Sequence, residues 1–135
     1  MIKVAKSLFF FIFWMIFGVL SCTTNFPDVE GLDYTNWIYD QSGCKGDREK
    51  MIHLIDKNKE KFLRFNQNQI IAMFGKPENQ TLYTRSQTIY YYHIKNSPNC
   101  SDSDKIKDDS NTMMLQIRFD ALNRSKEVFV FNYNQ

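Results

Sequence analysis

Histidine is scarce in this chain: His53 and His93 are the two among 135 residues. Neither sits in a His-Glu-x-x-His step, and no Gly-x-Ser-x-Gly elbow is present. A hydrolase needs a nucleophile, a base and a group that orients the base, and nothing here nominates such a set. The chain therefore reads as a non-enzyme without a cofactor. A zinc site built from Cys44, His53, His93 and Cys100 fails on spacing. Eight residues separate the first pair and six the second, far from the tight paired ligands of structural zinc sites. Asp102, Asp104, Asp108 and Asp109 share the polar stretch 96–111, but no glycine supplies the bend that a calcium loop needs. That stretch reads as a solvated acidic loop. An excess of positive charge is missing as well. The formal net charge is +2, and Lys3 and Lys6 account for it. Without residues 1–21 the chain has 15 basic and 15 acidic side chains. Such a balance argues against nucleic acid, whose recognition needs Lys and Arg to replace phosphate counterions. Internal repeats, heptads and low-complexity tracts are also missing. Aromatic residues at 16% and charged residues at 24% exclude a disordered chain.

Long apolar runs are confined to one place. Leu8 to Leu20 is a stretch of 13 residues without a charged side chain, behind the basic n-region Met1 to Lys6. As a helix it reaches roughly 20 Å, short of a hydrocarbon core of about 30 Å. It reads as an export signal rather than a membrane span. The residues that follow, Val19-Leu20-Ser21-Cys22, resemble the lipobox of bacterial lipoproteins. That resemblance implies cleavage before Cys22 and a diacylglyceryl group on its thiol, the one good nucleophile at hand for a thioether. One acyl chain anchors only reversibly, whereas two or three hold a protein stably. Thr23 follows the cysteine and no acidic residue appears before Asp28. The expectation is a lipid anchor in the bacterial outer membrane, with the domain facing the periplasm.

The remaining 114 residues suffice for one small domain. Residues 22–36, with Pro27 and Gly31, read as a tether, and residues 37–135 as the domain. Trp37-Ile38-Tyr39 is an apolar cluster expected to be extended, and Gln41 to Gly46 is a turn. Asp47 is the expected N-cap of an amphipathic helix to about Leu63, carrying Met51, Leu54, Ile55, Phe62 and Phe65 on one stripe. Lys57, Lys59, Glu60, Lys61 and Arg64 form its solvated side. His53 sits at the rim of the stripe. Asn66 and Gln69 have the capping-box spacing for a second helix through Phe74, stopped at Gly75 with Pro77 beyond. The rest has strand character: Thr88 to Lys95, then Met113 to Phe119 with strict alternation, then Lys126 to Phe131. Asp120 to Arg124 is the turn before the last strand, with Asn123 suited to positive φ. A short additional strand near Thr81 to Tyr83 is possible. The expected class is α+β: two helices, then a three-stranded antiparallel sheet, with the helices on one sheet face.

Four stretches together resemble the SmpA/OmlA (BamE-like) and β-lactamase-inhibitor-protein-like superfamily. They are Asp47-Arg48-Glu49-Lys50-Met51-Ile52, the capped helix Asn66 to Phe74, Gly75-Lys76-Pro77-Glu78, and Leu115-Gln116-Ile117-Arg118-Phe119-Asp120 leading into a hairpin. The resemblance covers residues 47–131. It implies a helix–turn–helix before three strands and a place in the cell envelope, as an assembly or binding module. Asn66 and Asn123 stand where family members commonly carry Gly or Ser, and Gly.

Two further readings concern named side chains. Cys44 and Cys100 are the thiols left once Cys22 is modified, and an even pair in an exported chain reads first as a disulfide, with free buried thiols as the lesser reading. A bridge would close about 57 residues, worth roughly 4 kcal/mol in the chain-entropy model. In Tyr90-Tyr91-Tyr92, alternation sends neighbours to opposite faces, so Tyr91 is the candidate for a partner surface on the sheet's far side. The functional expectation is a lipid-anchored module for an envelope or outer-membrane assembly protein. The alternative is a lipid-anchored domain that binds a small ligand or inhibits an enzyme.

Overall fold

A computed structural model describes residues 25–95, 97–101 and 111–134. The segment expected to be an export signal, Cys22, and Asp102, Asp104, Asp108 and Asp109 lie outside the described residues. Among the described residues there are three α-helices, α1 (Tyr34–Tyr39), α2 (Asp47–Lys57) and α3 (Gln67–Phe74). Four strands follow, β1 (Asn79–Tyr83), β2 (Gln87–Lys95), β3 (Asn111–Phe119) and β4 (Ser125–Asn134). The strands form one antiparallel meander in the order β1-β2-β3-β4. The α+β class is as expected, with four strands instead of three. The stretch 81–83 becomes a full hairpin arm because β1 pairs along its whole length with Leu82 opposite Thr88 and Asn79 opposite Tyr91.

The sheet obeys its period-two pattern. Tyr90, Tyr92 and Ile94 of β2, Leu115, Ile117 and Phe119 of β3, and Val128 of β4 face the helices. Trp37, Met51, Ile52, Ile55, Phe62, Ile70, Met73 and Phe74 pack on them from the helical side. Phe74 is the hub, with ring centroids 5.4 Å from Trp37 and Phe62, 6.0 Å from Tyr92 and 6.1 Å from Tyr34. Tilted and edge-on arrangements of this kind add to simple area burial.

α3 is the element most directly written in sequence. Asn66 Oδ1 accepts from the Gln69 N–H at 2.9 Å, and Gln69 Oε1 accepts from the Asn66 N–H at 2.9 Å, the full reciprocal box. Gly75 ends the helix at φ +80°, a conformation that costs a side-chain-bearing residue dearly. The turn Asp120 to Arg124 also forms as expected, with Asn123 at φ +59°.

Four local expectations are corrected. Trp37-Ile38-Tyr39 is helical, not extended. Asp33 caps α1 by accepting from the N–H groups of Thr35 at 2.9 Å and Asn36 at 3.0 Å, and the helix delivers Trp37 into the core. Asp47 is the first helical residue of α2 and not its cap. Gly46 holds the cap position without a side chain, and Asp40 supplies the acceptor from eight residues before Arg48, taking its N–H at 2.9 Å. The helix expected to run to Leu63 ends at Lys57. Asn58 closes it by bonding back to Leu54 O, and a short 3-10 turn, Lys59–Phe62, follows. The break has a tertiary cause. Ser125 at the head of β4 binds this segment four ways: its Oγ donates to Phe62 O at 2.7 Å and accepts from Phe65 N at 3.0 Å, its O accepts from Arg64 N at 2.7 Å, and its N donates to Phe65 O at 2.7 Å. Residues 62–65 are thereby laid along the sheet edge. Finally, the stretch 22–36 is not all tether. Val29 is buried, and Phe26, Leu32 and Tyr34 pack against the core, so the packed domain begins near residue 26.

Candidate functional site

The helices cover one face of the sheet, and the other face carries the side chains of opposite parity. Register aligns them in rows. Tyr91 stands opposite Gln116, which stands opposite Phe129, and the neighbouring row runs His93, Met114, Phe131. Asn79 of β1 extends the Tyr91 row, and Thr81 stands opposite Ile89 in the row of Arg118 and Glu127. Asn79, Thr81, Tyr91, Met114, Gln116 and Phe131 line a depression of about 510 Å³. Its walls come from all four strands, and its lining is mainly apolar with amide and hydroxyl groups interspersed. Phe129 beside it is 47% exposed. Arg118 and Glu127 pair across β3 and β4 at one border of this face. Tyr91 is half-buried. Tyrosine suits such a place, since its ring gives contact area and its hydroxyl keeps a hydrogen bond at a wet boundary.

The reverse side of β2 leads to a buried polar cluster that sequence reading did not single out. Arg48, on α2, is buried among Trp37 and Tyr92, its Cζ 5.3 Å and 6.0 Å from their ring centroids. Its Nε donates to Trp37 O at 3.1 Å, and its Nη1 to His93 O and to Glu78 Oε1, each at 2.8 Å. Glu78 also accepts from the N–H groups of Ser42 at 2.8 Å and His93 at 3.1 Å. Asp40 completes the corner by accepting from Lys45 N at 2.7 Å as well as Arg48 N. The pieces so joined are the end of α1, the turn Gln41–Gly43, the start of α2, the segment before β1, and β2. Gly43 is required there: a Cβ on it would lie 2.2 Å from Ile94 O. One signal for Arg48 was present in the sequence. It falls three, four and seven residues before Met51, Ile52 and Ile55, on the buried stripe of the helix.

Cys44 and Cys100 lie at this corner, their Sγ atoms at the bonding distance of 2.03 Å with Cα atoms 5.5 Å apart. The bridge ties the start of α2 to the segment after β2, as the cysteine arithmetic expected. The two histidines are not brought together with them into a site. His53 is exposed on α2 at the rim. His93 is buried, and its Nδ1 has no hydrogen-bond partner. Burial holds its imidazole below the ordinary value of 6.5; the Glu78 charge opposes this and the Arg48 charge adds to it. Burial likewise raises the Tyr92 hydroxyl above the usual tyrosine range, while that hydroxyl donates to Gly75 O at 3.1 Å. Among the described residues no group of three or more His, Cys, Asp and Glu side chains is placed to hold a metal ion. No described helix is long and apolar enough to cross a membrane.

The cluster around Arg48 is buried, and its charged groups bond to Trp37 O, His93 O, and the N–H groups of Ser42 and His93, so it organises the fold. The face around Tyr91 is the one that meets the outside. Comparison of the chain with protein-family models, curated proteins and solved structures returned no match.

Proposed function

We propose that this chain is a non-enzymatic lipoprotein, anchored through Cys22 in the outer membrane with its domain on the periplasmic side. It acts there as a binding module for an envelope protein, in the manner of an assembly accessory. The observation that carries the binding role is the sheet face turned away from the helices, where Tyr91, Met114 and Phe131 line a depression of about 510 Å³. Half-buried Tyr91, Met114 and Phe131 beside exposed Phe129 give this sheet face the aromatic and methionine composition of protein-contacting surfaces. The anchoring role rests on the order of the first 22 residues: basic, apolar, then Val19-Leu20-Ser21-Cys22.

Affinity capture of the mature protein from detergent-solubilised envelope tests the binding role. A specific envelope protein is expected with the wild-type bait and not with Tyr91→Ala, whose thermal unfolding should stay close to wild type because Tyr91 lies outside the core. Equal recovery with both baits excludes this face. Mass spectrometry of the mature amino terminus tests the anchor, and an unmodified Cys22 ends it.

A further inference from the structure

Going backward from α1, Asp33 N lies 3.4 Å from Met51 Sδ, Gly31 lies beside Leu54, and Asp28 O accepts from Lys61 Nζ at 2.8 Å. The segment thus runs along α2 as far as the turn Lys59–Phe62; before it Pro27 O accepts from the Tyr34 hydroxyl at 2.7 Å and the Phe26 ring packs 5.2 Å from that of Tyr34. That turn is bonded to Ser125. Ser125 is in register with Phe119, Phe119 with Thr88, and Thr88 with Leu82. Both hairpin tips, 84–86 and 120–124, project from this same end of the sheet, and the disulfide corner is at the other.

Three of the bulky apolar side chains most open to water sit at that end: Leu82 at 86%, Tyr83 at 54% and Leu122 at 71% exposure. Exposed Arg85 and Arg124 lie on the tips themselves, exposed Lys126 follows Ser125, and exposed Arg64 bonds to Ser125 O through its N–H; exposed Glu60 of the turn Lys59–Phe62 shares this end. The acidic Asp120 among them is spent on Arg124, 3.4 Å away, and on the Leu122 and Arg124 N–H groups. Apolar tips inside a basic collar are the composition that partitions into a headgroup layer.

We propose that these hairpin tips seat on the bilayer that holds the lipid, with Leu82 and Leu122 in its interface and the disulfide corner pointing away. The proposal rests on the reading that Cys22 is lipidated. Chain length then decides the orientation. From Cys22 to Phe26, where the chain packs on the core, a fully extended chain covers about 14 Å. The ten residues of β4 run about 33 Å along the sheet. A leash shorter than the domain keeps the end it leaves from nearest the membrane. The face around Tyr91 then stands upright, at right angles to the bilayer and open to a periplasmic partner.

The test uses the mature lipidated protein in phosphatidylethanolamine/phosphatidylglycerol vesicles, with and without brominated acyl chains. Trp37 is fully buried and serves as a shielded background. Tryptophan is introduced as Leu122→Trp or Leu82→Trp at the tips and as Asn99→Trp at the opposite end. The expected result is a blue-shifted emission and several-fold stronger quenching by brominated lipid at either tip than at Asn99→Trp. Equal or stronger quenching at Asn99→Trp overturns the docking. Flotation and an N-terminal mass from the same sample separate the two levels. Protein that floats, carries lipid and shows unquenched tips sinks the docking alone, whereas protein without lipid that stays unbound sinks the anchor and the docking with it.

Discussion

Arg48 and Glu78, thirty residues apart in sequence, meet at 2.8 Å with side chains only 1% and 4% exposed. An ion pair so enclosed is weak evidence of stability as a pair, since desolvation offsets much of its attraction. Its effect is positional. The two side chains together satisfy backbone groups of Trp37, Ser42 and His93, and so fix where two helices meet the sheet.

Removing one partner strands the other's charge in the interior. Arg48→Met should therefore cost about 3–5 kcal/mol, and Glu78→Leu a comparable amount, since it also orphans the Ser42 and His93 N–H groups. Urea unfolding followed by circular dichroism measures both. Losses below about 1 kcal/mol for either variant would show that water reaches the cluster and relieves it.

The disulfide is expected to act on the unfolded chain. Cys44 and Cys100 are 56 residues apart, so reduction or the double replacement by serine should lower stability by roughly 4 kcal/mol in the chain-entropy model. The loss should come with little change in the native circular dichroism spectrum, because Arg48 and Asp40 hold the same corner independently. A variant that loses its helical signal at once would put the bridge ahead of the polar cluster in organising this corner.

His93 predicts a dependence on acidity. Its folded imidazole is held below the unfolded value near 6.5, with burial as the first cause. As pH falls through that unfolded value, the unfolded chain takes up a proton that the folded chain does not. Stability therefore declines on acidification below about 6.5 and stops declining once the folded imidazole also protonates. His93→Gln, which cannot titrate, should flatten that part of the profile. Urea midpoints compared between neutral and mildly acidic buffers decide it, and identical slopes for both proteins would count against the histidine.

Much of this architecture could be read from the chain. The capping box at Asn66 and Gln69, the stop at Gly75, the alternation from Met113 to Phe119 and the Asn123 turn depend on residues within a few positions of one another. The placement of Tyr91 away from the core follows from alternation alone. The misreadings share one physical origin. Trp37-Ile38-Tyr39 looks like strand material by composition, and its helix is secured by Asp33 and by packing on Phe74. The stripe through Phe62 continues a helical period, yet the helix stops at Lys57, and Ser125, more than sixty residues away, holds Phe62 O and the backbone of Arg64 and Phe65. Arg48 reads as one charge among several in Asp47-Arg48-Glu49-Lys50, and nothing local announces its partner at Glu78.

What the sequence determined by itself is whatever a periodicity, a cap or a short motif encodes: the α+β class, two of the helices, three strands, the pairing of two cysteines. Tertiary structure alone decided which charge is buried, where the long helix ends, how much of the presumed tether is packed, and which end of the sheet bears Leu82 and Leu122. Those outcomes depend on contacts across tens of residues, whose energies exist only after the sheet and helices have closed on each other.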